Sequence, residues 1–131
     1  MQKALALGED VNSADHLKRT ALMAAVMGGH ESIVRLLIEQ TGIDLNLRDS
    51  LEVEANTALH HAVLEGQNSI LRVLLQQPQL DVNLLNDRDH SPLMTAVYNR
   101  DLKSVSLLLA DPRVPCSEIH LVPQLVKSVA R

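Results

Sequence analysis

The feature that most constrains this chain is an internal period. Three apolar segments align without a gap: TALMAAVMGGHESIVRLLIEQ from Thr20, TALHHAVLEGQNSILRVLLQQ from Thr57 and SPLMTAVYNRDLKSVSLLLAD from Ser91. Their first residues lie 37 and then 34 positions apart. A second ruler agrees. The triplets Asp10-Val11-Asn12, Asp44-Leu45-Asn46 and Asp81-Val82-Asn83 set their asparagines 34 and then 37 apart, so three extra residues fall between Asn46 and Thr57. A unit of this length that recurs buries its apolar face against its neighbours rather than around a core of its own.

Each segment reads as two short helices. In the first, Leu22, Ala25 and Val26 recur at helical spacing, Gly28-Gly29 interrupts, and Ile33, Val34, Leu36, Leu37 and Ile38 form a second stripe. The second segment repeats this with Leu59, Ala62 and Val63, then Ile70, Leu71, Val73, Leu74 and Leu75. The third does so with Leu93, Ala96 and Val97, then Val105, Leu107, Leu108 and Leu109. Thr20, Thr57 and Ser91 are suitable N-caps, because a side-chain oxygen can accept an otherwise unpaired amide of the first turn. Pro92 occupies the tolerated first helical position, and Pro78 and Pro112 stop the second helices.

Composition narrows the class further. Hydrophobic residues make up 46% of the 131 positions, enough for one core, but aromatics only 1%, with Tyr98 alone. A core of Leu, Val, Ile, Ala and Met favours close helix packing and disfavours a sandwich or barrel. It also leaves no stacking platform for bases. The net charge is −4 and both signs are interspersed, so no basic stripe marks a nucleic-acid partner. One cysteine, Cys116, cannot close an internal disulfide, which points to an intracellular, cytoplasmic setting, with nucleus or host-cell cytosol as alternatives. No apolar run reaches the roughly 20 residues of a membrane span, and the acidic start MQKALALGEDVN does not suit a signal peptide. Membrane insertion is not expected.

With these residues in place the chain resembles the ankyrin-repeat family. That family's Thr-Pro-Leu-His start, paired alanines, Gly-His, Val/Ile-Val with Leu-Leu, and Asp-Val-Asn correspond to residues 20–46 and 57–83, and in worn form to 91–117. There Arg100-Asp101 replaces Gly-His and Pro115-Cys116-Ser117 replaces Asp-Val-Asn. The resemblance implies an all-α solenoid of stacked helix-turn-helix pairs with projecting β-turn loops. It divides the chain into the end of a truncated repeat (1–12), a repeat (13–46), a repeat with a three-residue turn insertion (47–83), a degenerate repeat (84–117) and a C-terminal half-repeat or capping helix (118–131) opened by Pro123. Both ends look cut, so a piece of a longer protein is expected.

The resemblance also implies where partners touch: the turn tips and the concave face of the first helices. The turn positions are His16, Leu17 and Arg19, then Val53, Glu54 and Asn56, then Asp87, Arg88 and His90. The concave positions are Met27 with Gly28, Leu64 with Glu65, and Tyr98 with Asn99. Met27, Leu64 and Tyr98 fall at one position of three successive repeats and would form a shallow apolar strip, a role that suits Tyr and Met. The competing reading makes that row outer core, partly covered by its own turns. The insertion within SLEVEAN, Ser50 to Asn56, carries Glu52 and Glu54 and would offer an acidic tip to a basic partner; a tolerated loop insertion serves equally well.

Other candidates are structural. His60 matches the family histidine that bonds to backbone between repeats, with Met23 and Met94 in its place elsewhere; His30 matches the family Gly-His. His60 and His61 point about 100° apart on a helix, and no second metal motif supports them. No nucleophile elbow, phosphate loop or carboxylate pair occurs, so neither catalysis, nor a metal, nor a cofactor is expected. Cys116 is read as small and inert. Lys18 and Asp89 replace the family's turn glycine, which predicts strain if φ is positive there. The function expected is a non-catalytic interaction module for a protein or peptide, monomeric as an isolated array, within a larger scaffold, signalling or effector protein. Two alternatives stay open: the targeting segment of a larger enzyme, such as a ubiquitin ligase, a kinase or a secreted effector, and a purely structural spacer.

Overall fold

The structure, a computed structural model, describes residues 11–114. The expectations for the leading half-repeat up to residue 10, for Cys116 and for the helix after Pro123 lie outside the described residues. Six α-helices are found among them: α1 (Ala21–Gly28), α2 (Glu31–Ile38), α3 (Ala58–Leu64), α4 (Asn68–Leu75), α5 (Pro92–Tyr98) and α6 (Leu102–Leu109). They form three pairs, one from each apolar segment.

The starts follow from side-chain caps. The hydroxyl oxygens of Thr20, Thr57 and Ser91 each accept, at 3.2 Å, the backbone N–H three residues on. The ends of the first helices follow from a left-handed residue, which turns the chain back without extending the helix. Gly29 (φ 74°) and Gly66 (φ 66°) take it freely, and Arg100 takes it at φ 60° in the third pair. The worn repeat offsets this downstream: Asp101 caps α6 by accepting the Ser104 N–H at 3.1 Å, a bond that His30 and Gln67 do not make for α2 and α4.

The pairs stack in two layers, α1 on α3 on α5 inside and α2 on α4 on α6 outside. The outer helices bury one stripe and keep Arg35, Arg72 and Ser106 in solvent. The inner helices sit between two neighbours and are apolar on most sides: every residue of α3 from Ala58 to Val63 is buried. Alanines at 25, 62 and 96 hold the layers close, and no large ring could fit in their place. One core runs through all three pairs, from Leu22 and Val26 through Leu59, Leu71 and Leu74 to Leu93 and Leu108.

Side-chain ladders fix the spacing between repeats. Asn12 and Asn46 each accept one backbone N–H of the next repeat, from Asp44 at 2.8 Å and Asp81 at 2.7 Å, and donate to the Gly42 and Gln79 carbonyls. Asn83 continues the row by donating to the Arg113 carbonyl at 2.9 Å. Arg113 in turn donates to the Leu75, Gln77 and Leu80 carbonyls, placing its charge at the carbonyl end of α4. Its carboxylate partner Asp111 is held below the usual carboxylate range, chiefly by that guanidinium.

Candidate functional site

The turns that project from the stack are built on one repeated device. Asp15 accepts the N–H groups of Leu17 and Arg19 through a single oxygen, and Asn86 accepts those of Arg88 and His90 in the same way. Such local bonds close a turn without a longer strand. For Asp15 they also lower the carboxyl pKa, the bond from Arg19 most. The left-handed position falls on Lys18 (φ 60°) and Asp89 (φ 61°), so the positive φ expected at the missing glycines is present.

The second turn uses the same base but is longer. Asp49 takes the place of Asp15 and Asn86, and its carboxylate accepts the Asn56 N–H at 2.6 Å across the extra residues. The extra residues are Leu51–Val53, a single 3-10 turn. On either side of it the bonds to neighbouring turns stay in register: Ser50 N–H donates to the Leu17 carbonyl at 2.7 Å, and Asp87 N–H to the Glu54 carbonyl at 2.8 Å. These bonds correct the sequence alignment. Ser50, not Val53, matches His16 and Asp87; Val53 belongs to the insertion. Two consecutive non-glycine residues, Glu54 (φ 84°) and Ala55 (φ 53°), absorb the return.

A second correction concerns Asn56. Expected at a tip, it is only 3% exposed, and its side-chain oxygen accepts from Asn86 Nδ2 at 2.9 Å. It joins two turns at their base. Arg19 is half-buried as well, drawn toward Asp49 at 3.5 Å. The remaining turn positions stay at the surface: His16, Asp87 and Arg88 are exposed, and Leu17, Val53, Glu54 and His90 are half-buried.

The concave row divides. Met27 is half-buried, whereas Leu64 is 39% and Tyr98 57% exposed, and Glu65 and Asn99 beside them are exposed too. Tyr98 stacks on His90, with ring centroids 4.6 Å apart and planes 9° from parallel. Arg88 pairs with Glu54 at 2.8 Å. Between these groups lies an open hollow of about 330 Å³ that brings together Glu54, Leu64, Arg88, His90, Tyr98 and Asn99, with Asn86 and Thr95 at its base. Six candidates from two turns and two helices thus share one site, while His16, Leu17, Arg19, Met27, Val53, Asn56, Glu65 and Asp87 do not line it.

Two buried histidines lie beneath. His60 Nδ1 accepts the Thr57 N–H at 3.2 Å, so Nε2 carries the proton and donates to the His90 carbonyl at 2.9 Å. Burial pushes its pKa down to about 4, against the opposing pull of the His90 bond. His61 faces the other way and bonds Asp49 through Nε2 at 2.9 Å. This pair was not among the sequence candidates. The signal for it is the recurrence of Asp15, Asp49 and Asn86 at the repeat spacing. The His30 ring lies over Gly28, where an added Cβ would come within 2.6 Å of Nε2. Among the described residues no cluster of three metal-ligating side chains forms, and no helix is long and apolar enough to cross a membrane.

A stack of capped helix pairs with projecting turns defines a helical repeat protein. The family model for ankyrin repeats (3 copies) matches residues 1–86 and 42–117, and the chain belongs to that family. Ankyrin repeats are generally protein-protein interaction modules and are typically non-catalytic. No curated protein matches the chain.

Proposed function

We propose that the chain is a non-catalytic module that binds a protein or peptide through its concave face and turn tips, as part of a larger scaffold, signalling or effector protein. The observation that carries this reading is the hollow at Leu64 and Tyr98. The only large ring of the chain stands there 57% exposed, although a repeat core has ample apolar surface elsewhere. Rigid aromatic groups of this kind act as anchors in interfaces, and polar turns around them supply the rim. Tyr98→Ala should weaken partner binding by about 2 kcal/mol or more, as loss of a central anchor does. Binding can be followed by a pull-down that compares the unaltered chain with the Met27/Leu64/Tyr98 triple alanine variant. Unchanged capture by a variant with intact helicity removes the strip from the interface.

A further inference from the structure

Building on the concave reading, we infer that the hollow at Tyr98 accepts an arginine side chain of the partner. Three features of the site favour a guanidinium. The Tyr98 ring stacks on His90 and is still 57% exposed, which leaves aromatic surface for a flat cation. Leu64, 39% exposed on the neighbouring helix, offers apolar surface to an aliphatic stem. The Glu54 carboxylate stands at the rim and already engages a guanidinium, that of Arg88, at 2.8 Å.

The geometry of that pair is unequal. Both backbones are held, Glu54 by bonds to Leu51 and Asp87 and Arg88 by the Asn86 oxygen at 2.9 Å, but the Glu54 side chain is the more covered of the two, 41% exposed. The Arg88 side chain is 66% exposed. An exposed ion pair is weak, so an incoming arginine can displace Arg88 from Glu54 at little cost. An acidic partner group would meet only Arg88, already paired, with the Glu54 carboxylate beside it.

The test uses the single tyrosine as its reporter, since the chain contains no Trp and only one Tyr. The probes are acetyl-Leu-Arg-Leu-amide and the same peptide with citrulline or glutamate at the centre, titrated while Tyr98 emission is followed. We expect a saturable response to the arginine peptide and about tenfold weaker binding of citrulline, which keeps the shape and loses the charge. Glu54→Gln should weaken the arginine peptide about fivefold, and Arg88→Ala should tighten it about two- to threefold by removing the competitor. Glu54→Gly should leave the melting temperature unchanged or raised while the arginine peptide binds at least about fivefold more weakly, which separates the role of the carboxylate from folding. Equal binding of the arginine and citrulline peptides, tighter binding of glutamate, weaker binding after Arg88→Ala, or no response to any probe each overturns the arginine assignment. A glutamate preference leaves the concave reading standing, and only the Tyr98→Ala partner assay can remove that.

Discussion

The first and second repeats share a helix pair but differ in how each is joined to the next. In the first, Met23 fills the joint as an apolar plug, 1% exposed. In the second, His60 occupies the same position and makes a polar staple from the Thr57 cap to the His90 carbonyl. The neighbouring position differs likewise: exposed Ala24 in one, buried His61 bonded to Asp49 in the other. The difference teaches that the stack tolerates either solution at this level because the Leu and Ala layers set the spacing. What the polar solution adds is direction. The His60 bond fixes the third turn, and with it His90 and the ring stacked on it, over the end of the second repeat.

Four experiments break or sharpen this comparison. The largest effect belongs to the part both repeats share: Leu37→Ala and Leu74→Ala should each cost about 2 to 5 kcal/mol, because both side chains are buried and leave a cavity. Denaturant unfolding checks it, and an unmoved midpoint for either removes that residue from the core register. The next effect distinguishes the repeats. The unfolded chain binds a proton at His60 near pH 6.5, while the folded chain resists it until about pH 4. Stability is therefore full above pH 6.5 and is lost progressively as the pH falls from 6.5 to about 4, by on the order of 3 kcal/mol. The acid slope should flatten in His60→Met, which copies the first repeat. A slope unchanged by that substitution assigns the loss to other groups.

A smaller effect is expected at the first turn. Lys18→Gly relieves a left-handed backbone at φ 60° and should stabilise by up to about 1 kcal/mol, partly offset by the greater freedom of glycine in the unfolded chain. Asp89→Gly should gain less, since Asp tolerates this region better than Lys. Equal gains at the two sites count against that distinction. The smallest effect is Arg35→Ala, which removes the exposed Glu31–Arg35 pair of α2 at 2.9 Å and should cost about 0.3 to 0.5 kcal/mol. A larger loss in thermal unfolding means the Arg35 stem also packs.

Much of the fold is legible because a repeat encodes its contacts at fixed offsets. The helices around Leu22, Leu59 and Leu93, the caps at Thr20, Thr57 and Ser91, and the His60 bond to backbone can all be read from periodicity and the family resemblance. The candidate site is legible only in part. Leu64 and Tyr98 stand out as one exposed row, but Met27 in the same row is half-buried, and position alone carries no signal for that difference. Spacing alone does not place the three-residue insertion, since Ser50, Val53 and Glu54 are all acceptable turn residues. Bonds to the turns on either side decide it.

By itself the sequence determined the repeat, its helix pairs and its apolar aromatic-free core. These follow from residue spacing, which local hydrogen bonding and burial read directly. The tertiary structure decided which polar groups meet: Glu54 with Arg88, His61 with Asp49, Asn56 with Asn86, and the Tyr98 ring with His90. The first and third of these join residues thirty or more positions apart, and the other two cross from a turn to a helix. The distance between such groups is set by how one repeat stacks on the next and how the Leu51–Val53 turn returns the chain, and no periodic pattern encodes it.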